Sequence, residues 1–190
     1  MNNIIHKEIE AKAHVKSSYV ELLKKVLTVR YGNSKKESKS DLYFHDVDGD
    51  FRIRKCEEKY VYTKKHQSMC GGVEVNDESE YILNLTEVAN YKELHHPFLE
   101  KSKTGYIWSV DTKIDEMFST MNIELVSVEG KYENKPYKEL GWFLEVEVLI
   151  GNANDTLINS ARNFIETFFK DLNLNDSIEK KKYMAMLEVE

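Results

Sequence analysis

The chain has 190 residues, of which 41% are hydrophobic and 32% charged, and a formal net charge of -6. That apolar share supports a real core and excludes wholesale disorder, and the acidic balance argues against a nucleic-acid or anionic-membrane partner. The length fits one domain over residues 1–190. No apolar run approaches the roughly 20 residues that span a bilayer. Met1-Asn2-Asn3-Ile4-Ile5-His6-Lys7 lacks the apolar stretch of a secretory signal, so the expected compartment is the cytoplasm. Cys56 and Cys70 form neither a disulfide framework nor a zinc spacing.

In sequence order, Ile5 to Val15 alternates, with Ile9, Ala11, Ala13 and Val15 opposite Glu8, Glu10, Lys12 and His14, which predicts a strand. Ser18 and Glu21 read as a capping box for a helix ending near Tyr31-Gly32-Asn33. Asn33 to Lys39 reads as a polar loop. Strands follow at Asp41–Asp46, Asp50–Glu57, Lys59–Gln67 and Val73–Leu83, with Asp48-Gly49 and Cys70-Gly71-Gly72 as turns. Thr86 to Lys103 has a helical apolar face of Val88, Tyr91, Leu94, Phe98 and Leu99, interrupted by Pro97. Tyr106–Asp115, Ile123–Glu129 and Trp142–Ile150 read as strands, with Asn134–Leu140 as a loop. Asp155–Leu172 is the clearest helix, and a short one over Ser177–Leu187 closes the sequence. About eight strands with a few helices define an α+β protein built on a barrel or strongly curved sheet.

The polar faces of these strands group like charges: Glu8 and Glu10; Arg52 and Arg54; Glu74, Glu78 and Glu80; Glu145 and Glu147. A polar face is ordinary on a half-exposed sheet, but like charges side by side repel unless something neutralises them. With amphipathic helices available to cover the apolar faces, the charged faces can turn inward. Buried charge must be matched. Glutamate clusters suit hard cations such as Mg²⁺ or Mn²⁺, and arginine and lysine suit phosphate oxygens. Together they imply a metal-complexed polyphosphate.

The same residues carry a resemblance. Glu8-Ile9-Glu10-Ala11-Lys12 is similar to the E-x-E-x-K signature of the CYTH superfamily, the triphosphate tunnel metalloenzymes. Asp41-Leu42-Tyr43-Phe44 resembles its D-x-Y-F, Phe51-Arg52-Ile53-Arg54 its L-R-x-R, and Thr63-Lys64-Lys65 its T-x-K. Glu78-Ser79-Glu80 resembles its central E-x-E, and Leu140 to Glu147 its L-G-x-F-x-E-x-E. Lys182-Tyr183-Met184-Ala185-Met186-Leu187 is similar to its terminal S-Y-x-x-L-L. The ordered set covers nearly all 190 residues.

The resemblance implies an eight-stranded antiparallel barrel around a hydrophilic tunnel, and an enzyme that processes triphosphates with Mg²⁺ or Mn²⁺. It implies metal ligation by Glu8, Glu10, Glu145 and Glu147. It implies triphosphate binding by Lys12, Arg52, Arg54, Lys65 and Lys113, and catalytic roles for Glu78, Glu80 and Lys12. Three positions depart from the pattern. Asn76 stands where the central R-x-E-x-E has its arginine. The K-x-R of a later strand reads Lys113-Ile114-Asp115, and L-D-x-V reads Val126-Ser127-Val128-Glu129. The cavity is therefore expected to hold fewer cations than is typical. The expected activity is hydrolysis of a nucleoside, thiamine or inorganic triphosphate, by a monomer or homodimer without nucleic acid or membrane. A class IV adenylyl cyclase and a non-catalytic triphosphate binder are the alternatives.

Overall fold

The computed structural model describes residues 6–70, 73–151 and 154–189. Eight long strands form the body: β1 (His6–Val15), β2 (Lys35–Phe44), β3 (Phe51–Cys56), β4 (Lys59–Cys70), β5 (Val73–Leu83), β6 (Leu99–Ile114), β7 (Met117–Tyr132) and β8 (Lys138–Gly151). The order β5-β4-β3-β2-β6-β7-β8-β1 is antiparallel throughout, and β1 pairs back to β5, so the sheet closes into the expected eight-stranded barrel. β1 shares one edge between two partners. Lys7 to Glu10 pair with β5, and Lys12 and Ala13 pair with the two-residue β9 (Ile178–Glu179).

The barrel is inside out relative to a packed core. Its apolar faces look outward and are covered by helices α1 (Val20–Tyr31), α2 (Leu85–Leu94) and α3 (Asp155–Asp171). Ile9, Ala13, Ile123, Leu144 and Val146 are fully buried against Leu23 and Leu27 of α1 and Ala161, Ile165 and Phe169 of α3. α3 buries a stripe at helical spacing, as its sequence predicts. On the other flank, α2 covers Phe44, Phe51, Ile53 and Tyr62 with Val88 and Tyr91. There the rings of Phe44, Phe51, Tyr62 and Tyr81 stack from β2 to β5 at 5.0, 5.0 and 4.5 Å. A last helix, α4 (Tyr183–Glu188), packs its Tyr183 on Val126, Val128 and Phe143, which lie on the inner faces of β7 and β8. Its Leu187 packs on Phe98 and Leu99. α4 thus closes one end of the barrel from within.

Four element readings need correction. The helix over Thr86–Lys103 is α2 followed by β6: His95 already has extended backbone at the C-cap, and Leu99 begins the strand. The residue before Pro97 disfavours helix, and the apolar spacing carried past it by coincidence. Residues 35–39 are the first half of β2 rather than a loop. The Ser18–Glu21 capping box does not form; Ser17–Tyr19 make a 3-10 turn and Tyr19 is the N-cap, without a side-chain cap bond. The Ser177–Leu187 segment divides into β9 and the shorter α4. The Cys70-Gly71-Gly72 turn lies in part outside the described residues. The Asp48-Gly49 turn forms, with Gly49 at φ 105°, a conformation open to glycine.

Candidate active site in the barrel

Because the outward positions along most of the strands are apolar, alternation sends the charged positions inward. They line a cavity of about 560 Å³. Among the described residues its wall carries nine carboxylates and eight basic side chains. The charges are not mixed evenly.

One part is basic and sits beneath α4. Asp41 on β2 is 1% exposed and accepts from Arg54 Nε and Nη2 at 2.7 and 2.9 Å. Lys101 of β6 ion-pairs with the same carboxylate at 3.1 Å and donates to the Tyr43 hydroxyl at 2.9 Å. Burial alone would raise the Asp41 pKa, but Arg54 and Lys101 hold it well below the carboxylate range. Lys103, also on β6, pairs with Glu145 and, at 3.6 Å, with Glu124. Glu124, on β7, is also paired with Lys39. Lys103, Lys39 and Arg54 hold its pKa at about 2 against burial. The Tyr183 hydroxyl donates to Glu145 Oε1 at 2.7 Å. The ammonium groups of Lys12, Lys101 and Lys103 stand 5.2, 5.3 and 5.4 Å from the Tyr183 ring centre. Three cations from two strands thus gather around one ring, each within cation–π reach.

Arg52 bridges the two parts. Its Nη2 donates to Thr63 Oγ1 at 2.9 Å and lies 3.5 Å from Glu80 Oε1, which also accepts from Thr63 at 2.8 Å. The Arg52 side chain is 10% exposed, and its Nε is buried without a hydrogen-bond acceptor among the described residues. A buried guanidinium donor left open costs free energy until an oxygen meets it.

The other part is acidic. Glu8 and Glu10 of β1 stand with Glu147 of β8, whose Cα partner is Glu10. Glu8 is paired with Lys65 at 3.0 Å. Glu10 accepts from Asn76 Nδ2 at 3.3 Å, and Glu147 from Asn122 Nδ2 at 3.5 Å. Glu147 has no ion-pair partner among the described residues. Burial first, then the charges of Glu8 and Glu10, push its pKa up to about 8. Glu10 is held at about 2, because Lys65, Lys103 and Lys12 outweigh its burial. Glu74, beside Glu10 and 3.5 Å from Lys12, is raised to about 7 by burial and Glu10.

The donor set is chemically suited to a hard divalent cation: three half-buried carboxylates, of which Glu147 has no ion pair among the described residues. Among the described residues, no three His, Cys, Asp or Glu side chains already converge as a metal cluster. Lysine ammonium groups occupy part of the space between the carboxylates instead.

Of the residues named from sequence, Glu8, Glu10, Lys12, Arg52, Arg54, Lys65, Glu80, Glu145 and Glu147 all line this cavity. Glu78 lies opposite Lys65 on β5, and its side chain is outside the described residues. Lys113 is not brought to the cavity. It is exposed next to the β6–β7 turn, with its ammonium 4.7 Å from the Phe118 ring centre. The expected shortage of cations is likewise corrected. Lys101-Ser102-Lys103 on β6 supplies the two cations sought at Lys113 and Asp115, and both are buried in the wall. Glu124 of β7 also lines the cavity. Asp41, Tyr43, Asn122 and Tyr183 also belong to the site. Lys180 and Lys182, just before α4, also line the cavity.

No family model matches the sequence, and no curated protein matches it. Solved structures do match the fold. A conserved hypothetical protein of Pyrococcus furiosus superposes with a TM-score of 0.63 at 20% identity, over 94% of this chain and 98% of that one. A chain of the Schizosaccharomyces pombe Mediator head module gives 0.59 at 11% identity, over 87% and 95%. HpAC1 from Hippeastrum, described as having a dominant triphosphatase activity, gives 0.56 at 14% identity, over 96% and 94%. These likenesses agree with the fold that the CYTH resemblance implies. A fold shared with a Mediator subunit does not by itself define chemistry, so function must be argued from the site. Among the described residues no helix is long and apolar enough to cross a membrane.

Proposed function

We propose that the protein is a divalent-metal-dependent hydrolase of triphosphates. The observation that carries this reading is one cavity walled by both kinds of charge. Glu8, Glu10 and Glu147 gather on β1 and β8, and Arg52, Arg54, Lys12, Lys101 and Lys103 line the same wall. A metal-complexed polyphosphate presents the complementary pattern. The triphosphatase activity described for HpAC1 points the same way.

In this reading Lys12, Arg52, Arg54, Lys65, Lys101 and Lys103 hold the phosphate oxygens and neutralise charge that builds during transfer. The open Arg52 Nε donates to one of those oxygens. Glu8, Glu10 and Glu147, with Glu145 nearby, would hold Mg²⁺ or Mn²⁺, which would supply Lewis-acid polarisation of the phosphoryl group. Glu80, aligned by Thr63 and Arg52, accepts the proton of the attacking water, with Glu78 on the same strand. The terminal phosphate leaves as orthophosphate.

Phosphorus NMR tests this directly, with purified protein, Mg²⁺ or Mn²⁺, and ATP, thiamine triphosphate or inorganic triphosphate in separate tubes. Orthophosphate release supports the hydrolase. Pyrophosphate with a cyclic phosphodiester from ATP makes the protein an adenylyl cyclase. Intact ATP, thiamine triphosphate and inorganic triphosphate refute the enzyme. Glu147→Gln is expected to abolish turnover while the protein stays folded.

A further inference from the structure

Asn76 is fully buried, yet only half of its amide is used. Nδ2 donates to Glu10 Oε1 at 3.3 Å, whereas Oδ1 has no hydrogen-bond partner among the described residues. An amide oxygen buried without a donor costs free energy comparable to a lost hydrogen bond. In the β1–β5 ladder Asn76 is the Cα partner of Glu8, and paired residues share a face of the sheet. The amide therefore sits on the inward face beside Glu8 and against Glu10. An amide oxygen next to two carboxylates is a hard ligand set.

We propose that Asn76 Oδ1 is a further ligand of the divalent cation held by Glu8, Glu10 and Glu147. This rests on the metal-dependent reading above. The protein thus carries a neutral oxygen at a position where the resemblance has an arginine. That exchange removes a positive charge that would oppose the metal and adds a donor that favours it. Lys101 and Lys103 remain in the cavity wall to meet phosphate charge.

Binding of MnCl₂ alone to the full-length protein, by isothermal titration calorimetry and the Mn²⁺ paramagnetic resonance signal, tests this without turnover. Asn76→Leu removes both halves of the amide and is expected to weaken Mn²⁺ at least about tenfold. Asn76→Asp also removes the donor to Glu10 but keeps a hard oxygen ligand, so it is expected to bind Mn²⁺ as tightly as the parent or tighter. A structural role, holding Glu10 through Nδ2, would make both variants weak alike, and that result overturns the proposal. Unchanged affinity in Asn76→Leu also overturns it, while leaving the hydrolase reading intact. If Asn76→Leu does not fold, Asn76→Asp decides alone: weaker binding refutes the ligand. A parent protein that binds no Mn²⁺ refutes the metal site as a whole.

Discussion

Replacing Asp41 separates what the buried ion network does for stability from what it does for binding. Asp41 neutralises two cations from neighbouring strands, Arg54 in bidentate contact and Lys101 at 3.1 Å. Asp41→Ala leaves both without that counter-charge inside the barrel. Breaking a buried pair in this way costs about 3–5 kcal/mol. For a protein of this size each kcal/mol moves Tm by roughly 2–4 °C, so a fall of about 6–20 °C is expected at pH 7. The folded pKa of Asp41 lies below its unfolded value of about 3.9. Its contribution is therefore present in full above about pH 5 and is lost as pH falls through the depressed folded value. The deficit of Asp41→Ala relative to the parent should accordingly shrink in acid. The triple variant Asp41→Leu, Arg54→Met, Lys101→Met removes the charges together and should recover most of the stability, since apolar replacement of a buried network is often neutral. It should not recover triphosphate binding. Urea unfolding at pH 7 and pH 3.5, with calorimetric titration of triphosphate, gives both readouts. A loss below about 1 kcal/mol in Asp41→Ala, or a triple variant as unstable as the single, would refute the reasoning.

Lys103→Met should lower kcat/KM about 10- to 150-fold, the worth of one charge-assisted contact of about 1.5–3 kcal/mol. Lys113→Met should leave steady-state phosphate release unchanged, since its ammonium lies on the Phe118 ring outside the cavity. Tyr183→Phe keeps the ring among the three lysines but loses the 2.7 Å bond to Glu145. It should cost about 1 kcal/mol in unfolding experiments and less activity than Tyr183→Leu, which loses the ring as well. A methyl group at Gly105 would stand 2.1 Å from the Leu125 carbonyl oxygen and 2.8 Å from Val126 Cα. Both are backbone atoms with little freedom to move, so Gly105→Ala should lower Tm by several degrees at least. A Tm equal to that of the parent would show that the β6–β7 ladder can shift there.

The strands that carry glutamate pairs were legible because their opposite faces are plainly apolar: Ile9, Ala11 and Ala13 behind Glu8, Glu10 and Lys12, and Val146 and Val148 behind Glu145 and Glu147. Where the outward face is less apolar, the pattern fails. Residues 35–39 are polar on both sides, so the run reads as a loop. Yet Glu37 and Lys39 are only 13% and 14% exposed, paired to each other inside the barrel. Lys101 and Lys103 were hidden for a related reason. They occupy the inward positions of β6, 5% and 7% exposed. Lysine on a strand ordinarily reports the solvent side. In a barrel whose interior is charged, that inference is inverted, and only strand pairing reveals it. Asp41 pairs in register with Lys101 and with Arg54, and Glu124 with Glu145. Each of these contacts joins residues of different strands. The local spacing of one segment contains no trace of its neighbour, so the acidic part of the site could be read from single strands. The basic part required the closed sheet.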